Sequence, residues 1–374
     1  MPGTVASAQY LNVKMEDGTC HSYKTTPNMK VSFGDKKGTD PTESEQTVTV
    51  GDNKVTVKLA ENTPASEVVF STNLEGNAVK IKAVSVGGYG LECIKDNEVL
   101  APAVANGFHT FTVSNISNDM VVTIGYITVS FDLNITDNFK AKPEDIRIGY
   151  NSTVPLTYAS AEKHGFRGWY TDKECTEAWD YSTRVTQSLT LYAKWAEDPA
   201  ENKINGHDYV KLGGYYWATE NVGEVKDENN ASMYVGYNDT YGYYYNYANA
   251  IEAAKTWNSG SGGGHTWTLP SAAQWQALID YCKWEWTTDN KTKMNGYLVK
   301  GRDDTYESGN SVFLPAAGLC DAGSVGGQGN NGHYCSSTPH GSSTMYYLYF
   351  YSGGQYVNIN DRKFGYSVRT VLAE

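Results

Sequence analysis

The side chains best suited to chemistry lie near the end of the chain and are mostly tyrosine and asparagine. Six of them alternate along two runs that flank a Gly-Gly turn: Tyr347, Tyr349, Tyr351, Tyr356, Asn358 and Asn360. Two alternating runs around such a turn predict a β-hairpin. Side chains two positions apart share one face of a strand, so the hairpin would gather all six on one face. Tyrosine and asparagine provide contact area and hydrogen bonds at low entropic cost, which is typical of recognition surfaces.

The opposite face of this hairpin would carry apolar side chains and face a core. Its members are Leu348, Phe350, Val357 and Ile359. A second interpretation of the tyrosines stays open, because tyrosine favours strands for its own sake and other segments could cover the face.

Residue types that bind metals or catalyse reactions occur, but not in the spacing that such sites need. The chain has no HExxH motif, and its histidines are not spaced like zinc ligands; His333 and His340 lie seven positions apart in a loop-rich stretch. Asp303, Asp304 and Asp321 have the oxygen ligands that calcium uses, although Asp303 and Asp304 fit a solvated turn better. We therefore expect neither a metal nor a cofactor.

The six cysteines are widely spread, and no two form a CxxC motif. Two disulfide bridges are open alternatives, Cys20–Cys93 and Cys320–Cys335. The other alternative is that these residues are buried free thiols that act as small hydrophobes.

Composition excludes several classes of protein. Among 374 residues there are 29 tyrosines and 37 glycines, which indicates a β-rich chain with many turns. The net charge is −12 and no stretch is dense in basic residues, so we expect no nucleic-acid partner. No apolar run reaches about 18 residues, so we expect no transmembrane helix. The first residues lack the basic and apolar segments of an intact secretion signal.

The sequence predicts three domains: a β-rich stalk at 1–126, a small repeat at 127–196 and a ligand-binding domain at 201–374. A short polar stretch with a proline, at 197–202, links the second to the third. The first domain has several short strands with polar turns, which predicts a sandwich. Its segment "GFHTFTVSNISNDMVVTI" at 107–124 resembles the end of a bacterial immunoglobulin-like repeat.

The middle module contains two marked segments, "GFRGWYTD" at 165–172 and "LYAKW" at 191–195. In this order and spacing they resemble the Listeria–Bacteroides repeat, a small β-grasp-like module of bacterial surface proteins. Trp169, Trp179 and Trp195 would supply the large apolar area that a module of this size needs. The resemblance implies an extracellular spacer and no ligand of its own.

The last domain has landmarks spread over nearly its whole length. They are "WATEN" at 217–221, "WTLPS" at 267–271, "FLPAAG" at 313–318, "SST" at 336–338 and "GYSVR" at 365–369. Together they resemble the Fibrobacter succinogenes major paralogous domain. That resemblance implies the α+β C-type-lectin-like fold, shared with formylglycine-generating enzymes and with variable proteins of diversity-generating retroelements. The predicted fold is therefore multi-domain and mainly β, with an α+β domain at the end.

The resemblance also implies which positions of the last segment would vary and bind ligand. Retroelement-diversified proteins keep scaffold residues and vary those between them, favouring residues such as Asn, Tyr, Ser, Asp and His. The predicted ligand-binding set is Tyr347, Tyr349, Tyr351, Tyr356, Asn358, Asn360, His340, Asp361 and Tyr366. A β surface of low complexity would have a similar composition, so this alternative stays open.

The function that these features indicate is binding rather than catalysis. Formylglycine-generating enzymes need closely placed cysteines, and Cys335 stands here where an aromatic residue is expected. The motifs of calcium-dependent sugar-binding lectins are absent. We therefore predict a non-enzymatic, secreted or cell-surface bacterial protein of adhesin type, with a protein or carbohydrate ligand on a cell surface. The alternative is a structural subunit of a surface or pilus-like assembly.

Overall fold

A computed structural model describes the backbone of residues 10–14 and 20–24, and all atoms of residues 44–259 and 264–373. The chain divides into two compact units. The first runs up to Val129 and adds Asp145–Val154 and Ser182–Leu189. The second takes Ser130–Glu144, Pro155–Tyr181 and the chain from Thr190 onward. The described residues are mainly β, with several separate sheets. The boundaries of the three predicted domains stay predictions.

The first eleven strands lie in the first unit. They are β1 Tyr10–Lys14, β2 Cys20–Lys24, β3 Glu45–Val50, β4 Asn53–Leu59, β5 Val68–Glu75, β6 Ala78–Ser85, β7 Leu91–Lys95, β8 Glu98–Leu100, β9 Ala103–Ala105, β10 Phe108–Val113 and β11 Met120–Tyr126. One sheet has the order β3-β4-β11-β7-β8 and another the order β5-β6-β10-β9. One buried cluster draws Val57 and Ile124 from the first sheet and Ile81 and Phe111 from the second. The two sheets therefore share a core, because alternation directs one face of each strand inward.

Cys93 lies in this core as a buried free thiol. The Cys20–Cys93 alternative is therefore wrong, and the interpretation as a small hydrophobe holds for Cys93. The side chain of Cys20 is outside the described residues.

The next eight strands are short and belong to the middle module. They are β12 Thr128–Asp132, β13 Phe139–Lys140, β14 Ile146–Arg147, β15 Ser152–Thr153, β16 Ser160–Ala161, β17 His164–Tyr170, β18 Arg184–Val185 and β19 Leu189–Glu197. In the second unit, the rings of Phe131 and Trp169 lie 4.9 Å apart and Trp195 donates from Nε1 to the Leu133 carbonyl at 2.7 Å. Trp169 is buried, as predicted for a module of this size, whereas Trp179 is half-exposed.

The remaining strands and both helices follow. They are β20 Lys203–Ile204, β21 His207–Leu212, β22 Tyr215–Asn221, β23 Gly236–Asn238, β24 Gly242–Tyr244, α1 Tyr247–Lys255, a 3-10 turn Thr256–Asn258, β25 Trp267–Thr268, α2 Ala272–Tyr281, β26 Lys283–Thr288, β27 Asn295–Lys300, β28 Ser311–Pro315, β29 Leu319–Asp321, β30 Ser324–Gly326, β31 Asn331–His340, β32 Thr344–Tyr351, β33 Gly354–Asp361 and β34 Arg369–Leu372. The sheet that matters most for function has the order β31-β32-β33.

Helix α2 fixes the position of that sheet. Ser271 caps the helix, and a capping box with Gln274 satisfies backbone groups in both directions. Trp275 is fully buried, and its Nε1 donates to the Cys335 carbonyl of β31 at 3.1 Å. Trp275 and Leu278 share a buried cluster with Leu348 and Phe350 of β32. One face of this sheet therefore packs into a buried core.

Candidate functional site

The predicted hairpin is formed by β32 and β33, joined by the two residues Ser352 and Gly353. The cross-strand pairs are Tyr347 with Asn358, Tyr349 with Tyr356, Tyr351 with Gly354, and Met345 with Asn360. Directly paired residues lie on the same face of a sheet, so the register gathers the six predicted tyrosines and asparagines on one face. A side chain at Gly353 would overlap the ring of Tyr351, because its Cβ would lie 2.5 Å from that ring. Glycine at the turn therefore makes room for the ring.

The other face of the hairpin follows the prediction at three of its four positions. Leu348 and Phe350 are fully buried, and Val357 is partly buried against the same cluster. Ile359 is 40% exposed, so its predicted place in the core is wrong. Ile359 lies on the edge strand β33, where it pairs with Tyr346 of β32, and neither residue belongs to this buried cluster.

Five tyrosines form a continuous line of rings, which we name the tyrosine row: Tyr366, Tyr347, Tyr349, Tyr351 and Tyr356. The distances between successive ring centroids are 5.6, 6.3, 5.9 and 6.4 Å. These distances lie in the range in which aromatic pairs attract one another. Each ring therefore helps to fix the orientation of the next.

Burial decreases along the tyrosine row. Tyr366 is 0% and Tyr347 is 5% exposed, and both belong to the core cluster built around α1. Tyr349 is half-buried, Tyr351 is 40% exposed and Tyr356 is 49% exposed. Tyr366 and Tyr347 thus support the row from below, while Tyr351 and Tyr356 are open to a ligand.

The neighbouring strand β31 adds His333 to this face, opposite Tyr349. Its ring stacks on Tyr347 with a centroid distance of 5.4 Å and lies 5.0 Å from that of Tyr349. Its Nε2 lies 3.1 Å from Oδ1 of Asn331. Burial lowers the pKa of His333 to about 4, so the imidazole is neutral at physiological pH.

Sequence reasoning did not assign His333 to this face and considered it only together with His340 as a weak metal pair. A usable signal was present, because Asn331, His333 and Cys335 alternate along the segment before "SST". Alternation of this kind places them on one face of a strand. The neighbouring strand that would share the face could not be identified without the sheet order.

The remaining predicted residues lie at the other end of the hairpin. His340 is exposed and pairs with Thr344, and its ring meets Tyr346 edge-on at 5.3 Å. Asp361 also pairs with Thr344, about 17 Å along the strand from Tyr356 at ~3.4 Å per residue. The contact between Asp361 and the tyrosine row runs through its backbone carbonyl, which accepts a hydrogen bond from the Tyr366 hydroxyl at 2.7 Å. Neither His340 nor the Asp361 carboxylate is brought to the exposed tyrosines.

The exposed end of the row offers neutral hydrogen-bonding groups and aromatic faces. The adjacent Tyr351 hydroxyl raises the pKa of Tyr356, while at the supporting end burial raises the pKa of Tyr347 to about 12. The exposed Tyr356 hydroxyl is therefore protonated at neutral pH and can donate as well as accept. The nearest basic side chain along β33 is Arg362, whose guanidinium is held by the carbonyls of Thr344 and Gly341. This arrangement supports stacking and hydrogen bonding rather than acid–base chemistry.

The two cysteines weighed for oxidation chemistry are free, buried thiols. Cys320 and Cys335 do not form a bridge with each other, so this alternative is wrong. Burial raises the pKa of both thiols, which keeps them protonated at neutral pH. Cys335 packs against Met345, with the two sulfur atoms 3.6 Å apart. Both cysteines fill space in the core.

Two of the three acidic residues that could bind calcium, Asp303 and Asp304, are engaged in ion pairs. Asp303 pairs with Lys283, and Asp304 pairs with Arg302 at 2.6 Å. Within residues 44–259 and 264–373, no group of three or more histidine, cysteine, aspartate or glutamate side chains is arranged to hold a metal ion.

Glu307 is a buried carboxylate that no sequence motif singles out. It is 0% exposed and accepts hydrogen bonds from the backbone N–H groups of Gly213 and Gly214, both at 2.8 Å. The Tyr158 hydroxyl donates to it at 2.9 Å. Burial raises the pKa of this carboxyl, which the three donors oppose. Because its oxygens are occupied by these partners, Glu307 ties loops together and is not free for a substrate.

Two family models match the chain, one in its middle and one near its end. Residues 128–194 match the family model of the Listeria-Bacteroides repeat domain. This confirms the predicted middle module. Residues 280–371 match a domain of unknown function, DUF8237, which covers the entire hairpin of β32 and β33. The C-type-lectin-like assignment of the last domain stays a prediction.

Two proteins of Evansella cellulosilytica are similar to parts of the chain. One, described by its name as a predicted membrane protein, is 37% identical over 106 residues, which cover 26% of this chain and 15% of that protein. The other, described as a predicted Gly-rich membrane protein, is 31% identical over 87 residues, covering 23% and 10%. This chain therefore spans only a small part of the length of these relatives.

The helices of the described residues are short. None of them combines the length and the apolar composition needed to cross a membrane.

Proposed function

We propose that this protein is a surface-displayed binding protein and that the exposed end of the tyrosine row contacts its ligand. The observation that carries the proposal is the pair Tyr351 and Tyr356, whose rings stand side by side, 6.4 Å apart and inclined by 22°, with 40% and 49% exposure. Exposed aromatic side chains that are adjacent and similarly oriented are typical of sites that bind another molecule.

The supporting structure makes this surface rigid before a ligand arrives. Tyr351 and Tyr356 extend a line of rings whose other end, Tyr366 and Tyr347, is anchored in the core. The backbone between them is held by strand pairing on both sides of β32. A rigid surface loses little conformational entropy on binding, so more of the contact energy appears as affinity.

The chemistry of the surface fits protein or carbohydrate ligands. Tyrosine rings can cover an apolar patch of a protein or stack on the apolar face of a sugar, and their hydroxyls donate and accept hydrogen bonds. Asn358, exposed on the same face, adds an amide. An aromatic anchor buried by a partner commonly contributes about 2 kcal/mol or more.

Display on a bacterial surface is supported by two observations. The middle module matches the Listeria-Bacteroides repeat domain, a resemblance that implies a bacterial surface protein, and the two relatives have names that describe membrane proteins. In this proposal the β-rich parts act as a spacer, and the last domain has a C-type-lectin-like fold. Its positions between scaffold residues would vary among related proteins by retroelement-driven diversification.

A binding screen tests the proposal directly. The whole chain would be applied to arrays of glycans and of bacterial and host surface proteins, with and without calcium. The double variant Tyr351→Ala/Tyr356→Ala removes the two most exposed rings of the tyrosine row. Tyr237→Ala is the matched control, because Tyr237 is also 49% exposed but lies on the separate hairpin of β23 and β24.

The proposal predicts array ligands that are lost in the double variant and retained in Tyr237→Ala. Ligands retained by both variants would place binding elsewhere on the protein. Absence of any ligand, together with self-association of the chain in solution, would favour a structural subunit of a surface assembly.

A further inference from the structure

Among the residues that the structure describes, β33 pairs with β32 and with no other segment, so its outer edge has no neighbouring strand there. A free edge presents a row of backbone N–H and C=O groups that can pair with another chain. Such an edge, next to a proposed binding surface, is a candidate for an additional contact.

The hydrogen-bond alternation identifies which residues face this edge. In an antiparallel pair, every second residue turns its N–H and C=O toward the partner strand. The two-residue turn makes Tyr351 and Gly354 such a pair, and at the other end the N–H of Arg362 donates to the carbonyl of Ser343 at 2.9 Å. The even-numbered residues of β33 therefore face β32. The odd-numbered ones face outward: Gln355, Val357, Ile359 and Asp361.

In the half of this outer edge that is farther from the turn, side chains accept hydrogen bonds from the outward backbone N–H groups. The N–H of Ile359 donates to Oδ1 of Asn358 at 2.8 Å, and the N–H of Asp361 donates to Oδ1 of Asn360 at 2.9 Å. Protein edge strands often carry features that block pairing with another chain. Here the two asparagines satisfy the outward N–H groups far from the turn. Gln355 and Val357, near the turn, have no such partner among the described residues.

Two exposed side chains border this edge on opposite faces, one within the open half and one just beyond it. Tyr356, on the face of the tyrosine row, is 49% exposed, and Ile359, on the opposite face, is 40% exposed. Ile359 is thus an apolar side chain that is exposed on an edge strand. A strand added at this edge would place alternate side chains beside Tyr356 and beside Ile359.

We propose that the ligand of this site is an extended polypeptide segment of a partner protein, which adds as a fourth strand along Gln355–Val357. This inference rests on the proposed function and specifies its ligand class. The open N–H and C=O groups recur every second residue, which is the spacing that the backbone of another strand matches. Where the segment continues past Val357, it carries an apolar residue facing Ile359 and, three positions away, a residue that contacts Tyr356.

A proline substitution tests strand addition selectively. Gln355→Pro removes one outward N–H and leaves the bonds between β33 and β32 in place, because the N–H of Gln355 does not point toward β32. Gln355→Ala is the matched control, since it removes the same side chain and keeps the N–H. The probe is a displayed library of random 12-residue peptides selected on the whole chain.

The proposal predicts that selected peptides bind Gln355→Pro at least about tenfold more weakly than the original protein, since a lost hydrogen bond with an unpaired partner has this size. Binding to Gln355→Ala stays within about threefold. Equal affinity for both variants, or failure of the library to yield any binding peptide, would overturn strand addition.

Amide hydrogen exchange provides a second measurement that needs no substitution. Addition of a selected peptide should slow exchange at Gln355 and Val357 and leave the amides of Ile359 and Asp361 unchanged, because these two are already bonded. Unchanged exchange at Gln355 and Val357 in the bound state would contradict the inference even if Gln355→Pro does not fold.

The two proposals fail in distinguishable ways. If glycans or folded proteins bind and are lost in Tyr351→Ala/Tyr356→Ala but not in Gln355→Pro, the binding function stands and strand addition is wrong. If bound ligands are insensitive to the tyrosine variants as well, the proposed function itself is wrong.

Discussion

The two ends of the tyrosine row place the same residue type in opposite environments. Tyr366 is fully buried, and its hydroxyl is held by the Asp361 carbonyl, whereas Tyr356 is 49% exposed at the turn of the hairpin. Between them the rings follow one another at about 6 Å, so the change from core to surface occurs within a single line of contacts.

This difference shows what determines the role of a tyrosine in this domain. Tyr347 and Tyr351 lie on the same strand and the same face, yet only Tyr347 is covered by the core cluster around α1. The residue type and the alternation are identical, so the difference comes from the buried cluster, which includes Tyr347 and not Tyr351. The same strand can therefore anchor a surface at one end and present it at the other.

The largest expected effect comes from the buried end. Tyr366→Ala should lower the free energy of unfolding by about 3–5 kcal/mol, because it leaves a cavity and removes a buried hydrogen bond. Urea denaturation followed by tryptophan fluorescence measures this change. A loss below about 1 kcal/mol would mean that Tyr366 is not part of the core.

The middle of the row should respond to pH through His333. Burial lowers its pKa to about 4 in the folded protein, against an ordinary value of 6.5, so protonation favours the unfolded state. Its contribution to stability is complete above pH 6.5 and is lost as the pH falls toward 4, by about 3 kcal/mol in total. His333→Phe should reduce the number of protons taken up on unfolding by about one, which lowers the slope of the free energy of unfolding against pH in this window. An unchanged slope would contradict a buried, neutral His333.

Removing only the hydroxyl of Tyr366 should cause a smaller loss of stability. Tyr366→Phe keeps the ring and removes the bond to the Asp361 carbonyl, which should reduce the free energy of unfolding by about 1 kcal/mol. The same urea titration applies. A change as large as that of Tyr366→Ala would show that the hydroxyl, rather than ring packing, holds this end of the row.

The smallest effect on stability is expected at the exposed end. Tyr351→Ala should change the free energy of unfolding by no more than about 0.5 kcal/mol, as is usual for surface positions. Differential scanning calorimetry of Tyr351→Ala beside Tyr366→Ala compares the two ends in one experiment. Equal destabilisation would remove the distinction between them.

Much of the local structure could be predicted from the sequence. The hairpin follows from alternation around Gly353 and Gly354, and the start of α2 follows from Ser271 with Gln274 three residues later. The middle module could be recognised from its segments at 165–172 and 191–195, which the family match confirms. These features depend on residues that are neighbours in sequence.

What could not be predicted depends on which distant segments cover a face. Tyr347 and Tyr351 are equivalent in the sequence, and only the folded chain shows that Tyr347 joins the buried cluster and Tyr351 does not. Alternation with Val357 predicts a buried Ile359, yet the buried cluster does not reach it. His333 was missed on this face because the pairing of β31 with β32 joins segments across a loop. Alternation identifies the two faces of a strand and leaves open which one is covered.

The same limit applies to the choice of variants. From the sequence, Tyr349 and Tyr356 are equally suitable for testing the surface, since they form a cross-strand pair. In the structure Tyr349 is half-buried and touches His333, so its removal would mix stability with binding. Tyr351 is the better partner for Tyr356 because both are exposed.

The most direct test of the account measures binding and stability on the same double variant, Tyr351→Ala/Tyr356→Ala. With a ligand from the arrays, we expect the affinity to fall at least about 30-fold, which corresponds to the loss of an aromatic anchor of about 2 kcal/mol. The free energy of unfolding should stay within about 1 kcal/mol of the original protein. Retained affinity, or collapse of the domain, would contradict the claim that these two rings form an exposed binding surface.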